Sequence, residues 1–344
     1  MSLRVVIADD SPIFREVLKD VLEADGDILV VGEAGEGGEA VRLAEHTRAD
    51  LVTLDLQMPG MGGLEAIEEL MARHPVPILV LTAKPAGPGS PLLFEATRRG
   101  ALDIVEKKVV SGADAGAWLR AHVHSLAAVR VVRHLRPATA TAVPAAPLPA
   151  LPFPGHGRVV GIGASAGGPP AVAAVLGGLP ADFPVCIALV QHLSPGFVHS
   201  YAAFLQSATA LKVEVVVGPV VARPGRVLVA PDGCHLVAAP KDRFELSDAP
   251  ADGGLRPTVD MLLCSLASEY GEGAIGVVLS GMGADGARGV AQLRAAGGLA
   301  LAQDEHTSAI YGMPKTALEA GASALPLGDI AQALVRSVRR ERSP

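Results

Sequence analysis

Residues 159–168 read VVGIGASAGG: Val159-Val160-Gly161-Ile162-Gly163-Ala164-Ser165-Ala166-Gly167-Gly168. An apolar run, a turn of small residues and then the apolar stretch Ala171–Leu176 predict a strand, a tight turn and a short buried helix, the opening unit of a parallel α/β sheet. From Val159 to Ala181 there is no Asp, Glu, Lys or Arg. Pro169-Pro170 and Gly177-Gly178 interrupt that run, which suits a buried strand and helix better than a membrane span. Two chemistries fit the same ten residues. G-x-G-x-x-G/A cradles a dinucleotide pyrophosphate, whereas G-x-S-x-G presents a serine nucleophile at a strand-to-helix turn.

The chain downstream separates these readings. Strands are predicted over Arg158–Gly163, Val185–Gln191, Val213–Val217, Val227–Ala230 and Ala274–Ser280. Helices are predicted over Ala171–Leu176, Phe197–Ala208, Val259–Tyr270, Gly286–Ala296 and Pro314–Ala320, with a hairpin near Cys234–Leu246. A dinucleotide site needs an acid at the end of the next strand to hold the ribose. That strand, VCIALVQH, ends in Gln191-His192. A serine nucleophile needs a base, and the base needs an orienting carboxylate. His192 supplies the first at the second strand end, and Asp285, within SGMGADGARG, supplies the second at a third. Gly281, Gly283 and Gly286 allow close backbone approach, so that a main-chain N–H there, such as that of Met282, joins an oxyanion hole.

Taken singly, each of these residues has a plainer role. Ser165 is a small turn residue, His192 a satisfied strand-end histidine and Asp285 a helix cap. Their meeting at three strand ends is what favours catalysis. The order Ser, His, Asp differs from that of α/β-hydrolases, but the triad occurs in several orders. Cys234-His235 is a rival pair, yet adjacent strand residues face opposite ways. A scaffold that only binds partners and a dinucleotide-linked redox domain stay as alternatives.

Upstream, residues 1–110 alternate short apolar runs with helical periodicity. The runs are Leu3–Ala8, Ile28–Val31, Leu51–Leu54, Ile78–Leu81 and Ala101–Val105. Phe14, Val17, Leu18, Val21 and Leu22 share one helix face, and Leu64, Ile67, Leu70 and Met71 another. Five such units predict a doubly wound parallel sheet. In the order 2-1-3-4-5, Asp9 and Asp10 after the first strand meet Asp55 after the third, with Thr82 after the fourth and Lys107 after the fifth. Three clustered carboxylates repel unless a divalent cation neutralises them, and hard oxygen donors suit Mg²⁺. An Asp beside such an ion attacks a phosphoryl donor, and a hydroxyl and an ammonium contact the new oxygens. Read plainly, Asp10 only caps the helix after Ser11-Pro12 and Asp55 sits in a turn; the five matched strand ends favour the functional reading.

Residues 113–134 read as a last helix, placing His122, His124 and His134 on a solvated face. Arg136–Gly157 is proline-rich and acid-free, a linker. The expected division is 1–112, 113–157 and 158–344: an N-terminal doubly wound parallel five-stranded domain, a helix and linker, and a larger, mostly parallel doubly wound α/β catalytic domain. With 344 residues and 49% hydrophobic content, each domain can bury a core. Net charge is −7, which argues against a nucleic-acid partner, and Arg339-Arg340-Glu341-Arg342 reads as a solvated helix end. Three scattered cysteines and no leader-like N-terminus suggest a reducing cytoplasm with no membrane insertion.

ADD, LDLQMPGMGG, LTA and GALDIVEK resemble a response-regulator receiver domain. The resemblance implies Asp55 as phosphoacceptor, Asp9, Asp10 and Asp55 as the Mg²⁺ site, Thr82 as switch hydroxyl, Lys107 as pairing lysine and a histidine kinase as phosphodonor. The family usually carries proline where this chain has Lys108, and the loop after Thr82 is rich in Pro and Gly. GIGASAGG, VQHLSPGF, VLVAPDGCHL, RPTVDMLL, LSGMGADGARG and YGMPKTAL resemble, in order, the catalytic domain of the CheB chemotaxis methylesterases. That resemblance implies a Ser165–His192–Asp285 triad, oxyanion donors at Met282 and Ala166, and no cofactor for catalysis. It also implies hydrolysis of glutamate methyl esters on chemoreceptor helices, with deamidation of receptor glutamines. Ala166 stands where many members carry Thr, leaving main-chain donors, and Gly253-Gly254-Leu255 replaces bulkier polar residues. The expected control is a receiver that packs over the active site until Asp55 is phosphorylated.

Overall fold

The computed structural model describes residues 2–83, 92–110, 115–129, 131, 158–251 and 254–338. The Pro/Ala-rich linker, most of the loop after Thr82, His134, Gly253 and the basic tail lie outside them. The chain divides into two compact units.

The first unit runs β1 (Leu3–Ala8), α1 (Pro12–Glu23), β2 (Ile28–Ala34), α2 (Gly37–Thr47), β3 (Leu51–Leu54), α3 (Gly63–Arg73), β4 (Ile78–Thr82), α4 (Leu92–Arg98), β5 (Asp103–Glu106) and α5 (Ala115–Ala127). Its five parallel strands are ordered β2-β1-β3-β4-β5. Val5–Ile7, Leu51–Leu54 and Ile78–Leu81 are buried without alternation, as in a sheet covered on both faces. Ser11, not Asp10, caps α1: its Oγ accepts the Phe14 N–H at 3.3 Å, and Pro12 stands at the first helical position. Asp10 is therefore free of that role.

Two expectations for this unit need correction. Val17 is 43% exposed, because the buried stripe of α1 narrows to Leu18 and Leu22 and one residue's rotation carries Val17 off it. His122 is buried, not solvated. It stacks on Trp118 and lies 3.0 Å from Asp103 Oδ2, since its helix face turns toward β5. His124 is 41% exposed and meets Asp27 at 2.8 Å.

The second unit runs β6 (Val159–Ala164), α6 (Gly168–Gly177), β7 (Cys186–Gln191), α7 (Val198–Ala208), β8 (Lys212–Val215), β9 (Val220–Val221), β10 (Arg226–Val229), β11 (His235–Ala239) and β12 (Arg243–Ser247). It continues with α8 (Val259–Tyr270), β13 (Ala274–Val278), α9 (Ala287–Ala295), β14 (Leu299–Gln303), α10 (Met313–Glu319), β15 (Ser323–Leu325) and α11 (Leu327–Val338). Seven parallel strands are ordered β15-β14-β13-β6-β7-β10-β8, and β11-β12-β9 form a separate antiparallel sheet. The sequence pattern left out β9, β14, β15 and α11.

β6 lies mid-sheet, between β13 and β7. Its glycines set how close α8 can come. A Cβ on Gly161 would stand 2.5 Å from Leu266 Cδ1, and one on Gly163 would overlap the Val259 side chain. With those methyl groups missing, Leu262, Leu263 and Leu266 bury completely against the sheet, each stabilising by roughly 1.5–3 kcal/mol.

Candidate active site

Parallel strands deliver their C-terminal ends to one edge, and β13, β6 and β7 are neighbours there. Ala164 registers with Gln191, so Ser165 and His192 each follow the last paired residue of adjacent strands. The His192 N–H donates to Ala164 O at 3.0 Å. The Ser165 N–H donates to Ser280 O, beyond β13, also at 3.0 Å. Residues from three strand ends are thus stitched by backbone.

Ser165-Ala166-Gly167-Gly168 is a tight turn closed by Gly168 N–H donating to Ser165 O at 2.8 Å. Gly167 has φ 71 and ψ −1, the values a type II turn demands at its third position and which glycine adopts without strain. A Cβ there would also stand 2.6 Å from Ser280 Oγ and from Ala309 Cβ. Gly281 is equally constrained. A Cβ on it would stand 2.8 Å from Ser165 Cβ and would overlap Met313 Sδ. These two glycines hold the serine turn against the β13 loop. Buried Ser280 adds to this by donating to Ala166 O at 3.0 Å and accepting the Ile310 N–H at 2.9 Å.

His192 Nε2 meets Asp285 Oδ2 at 2.8 Å, and both side chains are nearly buried. The carboxylate holds the ring proton at Nε2, which leaves the lone pair on Nδ1 as the basic position. Among the described residues no hydrogen bond joins Ser165 Oγ to the imidazole. Such contacts are often long before substrate binds. Asp285 also accepts the N–H groups of Val259 at 2.7 Å and Asp260 at 2.9 Å, at the start of α8. Burial by itself would raise the Asp285 pKa. The hydrogen bond and charge of His192, with the two amide donors, outweigh burial and hold the carboxyl below its ordinary value. It is therefore held as an anion beside the His192 ring.

Sequence reasoning missed the residue that ties the Ser165 and His192 strand ends together. Gln191, buried, donates its side-chain amide to Ser165 O at 2.7 Å and His192 O at 3.1 Å. In sequence it counted only as a position lacking an acid; its place beside His192 at the strand end was the available signal. The side chains of the rival Cys234-His235 pair each bond elsewhere. The Cys234 thiol donates to Asp248, while buried His235 is held between the Thr258 N–H and Pro250 O.

In the first unit, Asp9, Asp10 and Asp55 each offer an oxygen, all within 4.8 Å of one another. Lys107 Nζ stands 2.6 Å from Asp9 Oδ2 and 2.6 Å from Asp55 Oδ2. Burial pushes the Asp9 carboxyl up in pKa despite its bond to Lys107. Burial works against the Lys107 ammonium, but its bonds to Asp55 and Asp9 raise its pKa on balance. Two buried acids, one exposed acid and one lysine leave excess negative charge on hard oxygens, a donor set that fits Mg²⁺. Thr82 lies buried at the adjacent strand end, its Oγ1 donating to Ala83 O at 3.1 Å. Lys108 is exposed and pairs with Glu106 at 3.2 Å.

Comparison with known proteins agrees with both units. The CheB methylesterase family matches residues 160–334, and the response regulator receiver domain matches residues 5–113. A protein-glutamate methylesterase/protein-glutamine glutaminase 2 of Anaeromyxobacter dehalogenans (strain 2CP-C) is 44% identical, over 96% of this chain and 96% of its own. One of the same name from Methanospirillum hungatei JF-1 is 36% identical, over 99% of each. The crystal structure of the Thermotoga maritima CheB methylesterase catalytic domain matches with a TM-score of 0.51 at 36% identity, covering 52% of this chain and 97% of that one.

Proposed function

The chain belongs to the CheB methylesterase family with an N-terminal receiver domain, and from that premise we propose that it hydrolyses glutamate methyl esters on chemoreceptor helices under control of phosphorylation. The observation that carries this reading is the 2.8 Å bond between His192 Nε2 and Asp285, with Ser165 at the end of the neighbouring strand.

Ser165 Oγ attacks the ester carbonyl carbon while His192 Nδ1 takes its proton. Asp285 keeps the other ring nitrogen protonated and stabilises the imidazolium. Main-chain N–H groups at Met282 and Ala166 face the oxyanion. The imidazolium then protonates departing methanol, and water activated by the same nitrogen frees Ser165 and the glutamate carboxylate. A glutamine amide follows the same course and releases ammonia, as the paired names of the relatives describe for those proteins.

Asp55 is the phosphoacceptor, with a histidine kinase as donor. Asp9, Asp10 and Asp55 would hold Mg²⁺, which when bound neutralises the carboxylates facing an anionic phosphodonor. Lys107 and Thr82 receive the new phosphoryl oxygens. The working division is 1–112 for the receiver, 113–157 for the connection and 158–344 for the esterase. Among the described residues no helix is long and apolar enough to cross a membrane, and we place the chain in the cytoplasm with its substrate helices.

Ser165→Ala tests the assignment. Methanol release from methylated receptor membranes is expected to drop by at least about 10³-fold. An undiminished rate would return the domain to the binding-scaffold reading.

A further inference from the structure

Behind the carboxylate that holds His192 stands a second one that does not touch the imidazole. Asp260 is the second residue of α8, and its side chain is mostly buried at 13% exposure. Its Oδ1 accepts the Gly286 N–H at 3.0 Å and the Gly289 N–H at 2.8 Å. Those amides open α9, and Gly286 directly follows Asp285. Asp285 in return accepts the amides of Val259 and Asp260, which open α8. Each helix start is therefore capped by an acid belonging to the other, and the two caps close a ring through the peptide joining Asp285 to Gly286.

The geometry makes the ring stiff. Gly286 has φ 100, a backbone state that side-chain-bearing residues rarely adopt. A Cβ on it would come within 3.0 Å of Val259 Cγ1. A Cβ on Gly289 would stand 2.6 Å from Leu263 Cβ. α9 therefore packs on α8 with backbone in contact, and the Asp260 carboxylate pins the spot where the loop from β13 enters α9. Burial, with the neighbouring charge of Asp285, pushes the Asp260 carboxyl up in pKa, against the amide bonds and Arg288. The bare packing of two helices does not require an acid in so unfavourable a place.

We propose that Asp260 is a positioning residue for the esterase, acting only through Asp285 by fixing the Asp285–Gly286 peptide so that the carboxylate reaches His192 Nε2. The inference rests on the Ser165–His192–Asp285 reading. Loss of the Asp260 acceptor lets the loop drift, and displacements of about 1 Å near reacting groups cost on the order of 10²-fold.

The test is methanol release by the full chain on methylated receptor membranes, with kcat and KM separated and thermal melting recorded for each variant. Asp260→Ala is expected to lower kcat roughly 10- to 100-fold with KM within about twofold. Asp260→Asn keeps an oxygen facing both amides and is expected to hold kcat within about threefold. In an Asp285→Ala background, Asp260→Ala is expected to cost no more than about twofold further. If alanine melts below the assay temperature, Asp260→Ser, which suits a helix start but is too short to span both amides, replaces it. A folded Ala or Ser variant with undiminished kcat overturns the proposal. So does an undiminished loss in the Asp285→Ala background, which would mean Asp260 acts elsewhere. If Asp285→Ala alone retains full activity, the triad reading fails instead, and this is seen before Asp260 is touched.

Discussion

The Asp285 carboxylate engages His192 at Nε2, 2.8 Å away, and this leaves Nδ1 as the ring nitrogen with a free lone pair, the base of the proposed mechanism. An amide in place of the carboxylate would present an N–H to that nitrogen as readily as an oxygen, and so would no longer fix the tautomer. Asp285→Asn is therefore expected to lower kcat by about 10⁴-fold, with KM little altered. Steady-state methanol release by the folded variant checks this, and a loss under tenfold would remove Asp285 from the proton path.

The same residue gives the second unit an acid-sensitive element. Its carboxyl is held below the ordinary value in the fold, so the unfolded chain binds its proton first as pH falls. The stabilisation is fully present above the unfolded pKa of about 3.9 and is lost as pH drops from there through the folded value. Urea midpoints between pH 6 and pH 3 are expected to fall more steeply for the native chain than for Asp285→Asn. Parallel curves would show that the carboxylate adds nothing ionic to the fold.

Gln191→Leu keeps the volume of a buried side chain but removes the donor to Ser165 O and His192 O. Ser165 O still receives the Gly168 N–H; His192 O loses its side-chain partner. The expected cost is about 1–3 kcal/mol of stability and roughly a tenfold or greater loss of kcat from misplacement. Denaturant unfolding and turnover, measured together, check both parts.

In the receiver unit, Mg²⁺ binding to Asp9, Asp10 and Asp55 is expected to raise the melting temperature as concentration passes the dissociation constant. Asp10→Asn removes the exposed ligand and should weaken that rise without disturbing the Lys107 contacts to Asp9 and Asp55. A small-molecule phosphodonor with Mg²⁺ should raise methanol release, and Asp55→Ala should abolish the increase. An increase that persists in Asp55→Ala would place control elsewhere.

The strand ends of both units could be read from sequence because parallel strands print themselves as short apolar runs followed by polar residues. Ser165, His192, Asp55 and Lys107 stand directly at such breaks, whereas Asp285 lies further along the loop from β13, just before α9. β15 is three residues long, too short to leave a pattern, and Leu299–Gln303 sits between two glycines and an acid that resemble a loop. The cap formed by Asp260 escaped because its partners are amides, which every residue carries. His122 misled because one half-polar helix can bury a histidine as easily as expose it; only its neighbour Asp103 decides.

Two absent methyl groups on β6 have a reach beyond the core they clear. Seated in the hollow left by Gly161 and Gly163, α8 brings its first amides to a fixed depth behind the sheet edge. The distance from acid to imidazole is therefore measured out from the far side of the helix. A substitution in this interior that moves α8 also moves the two amides that Asp285 accepts, however remote it lies from that carboxylate.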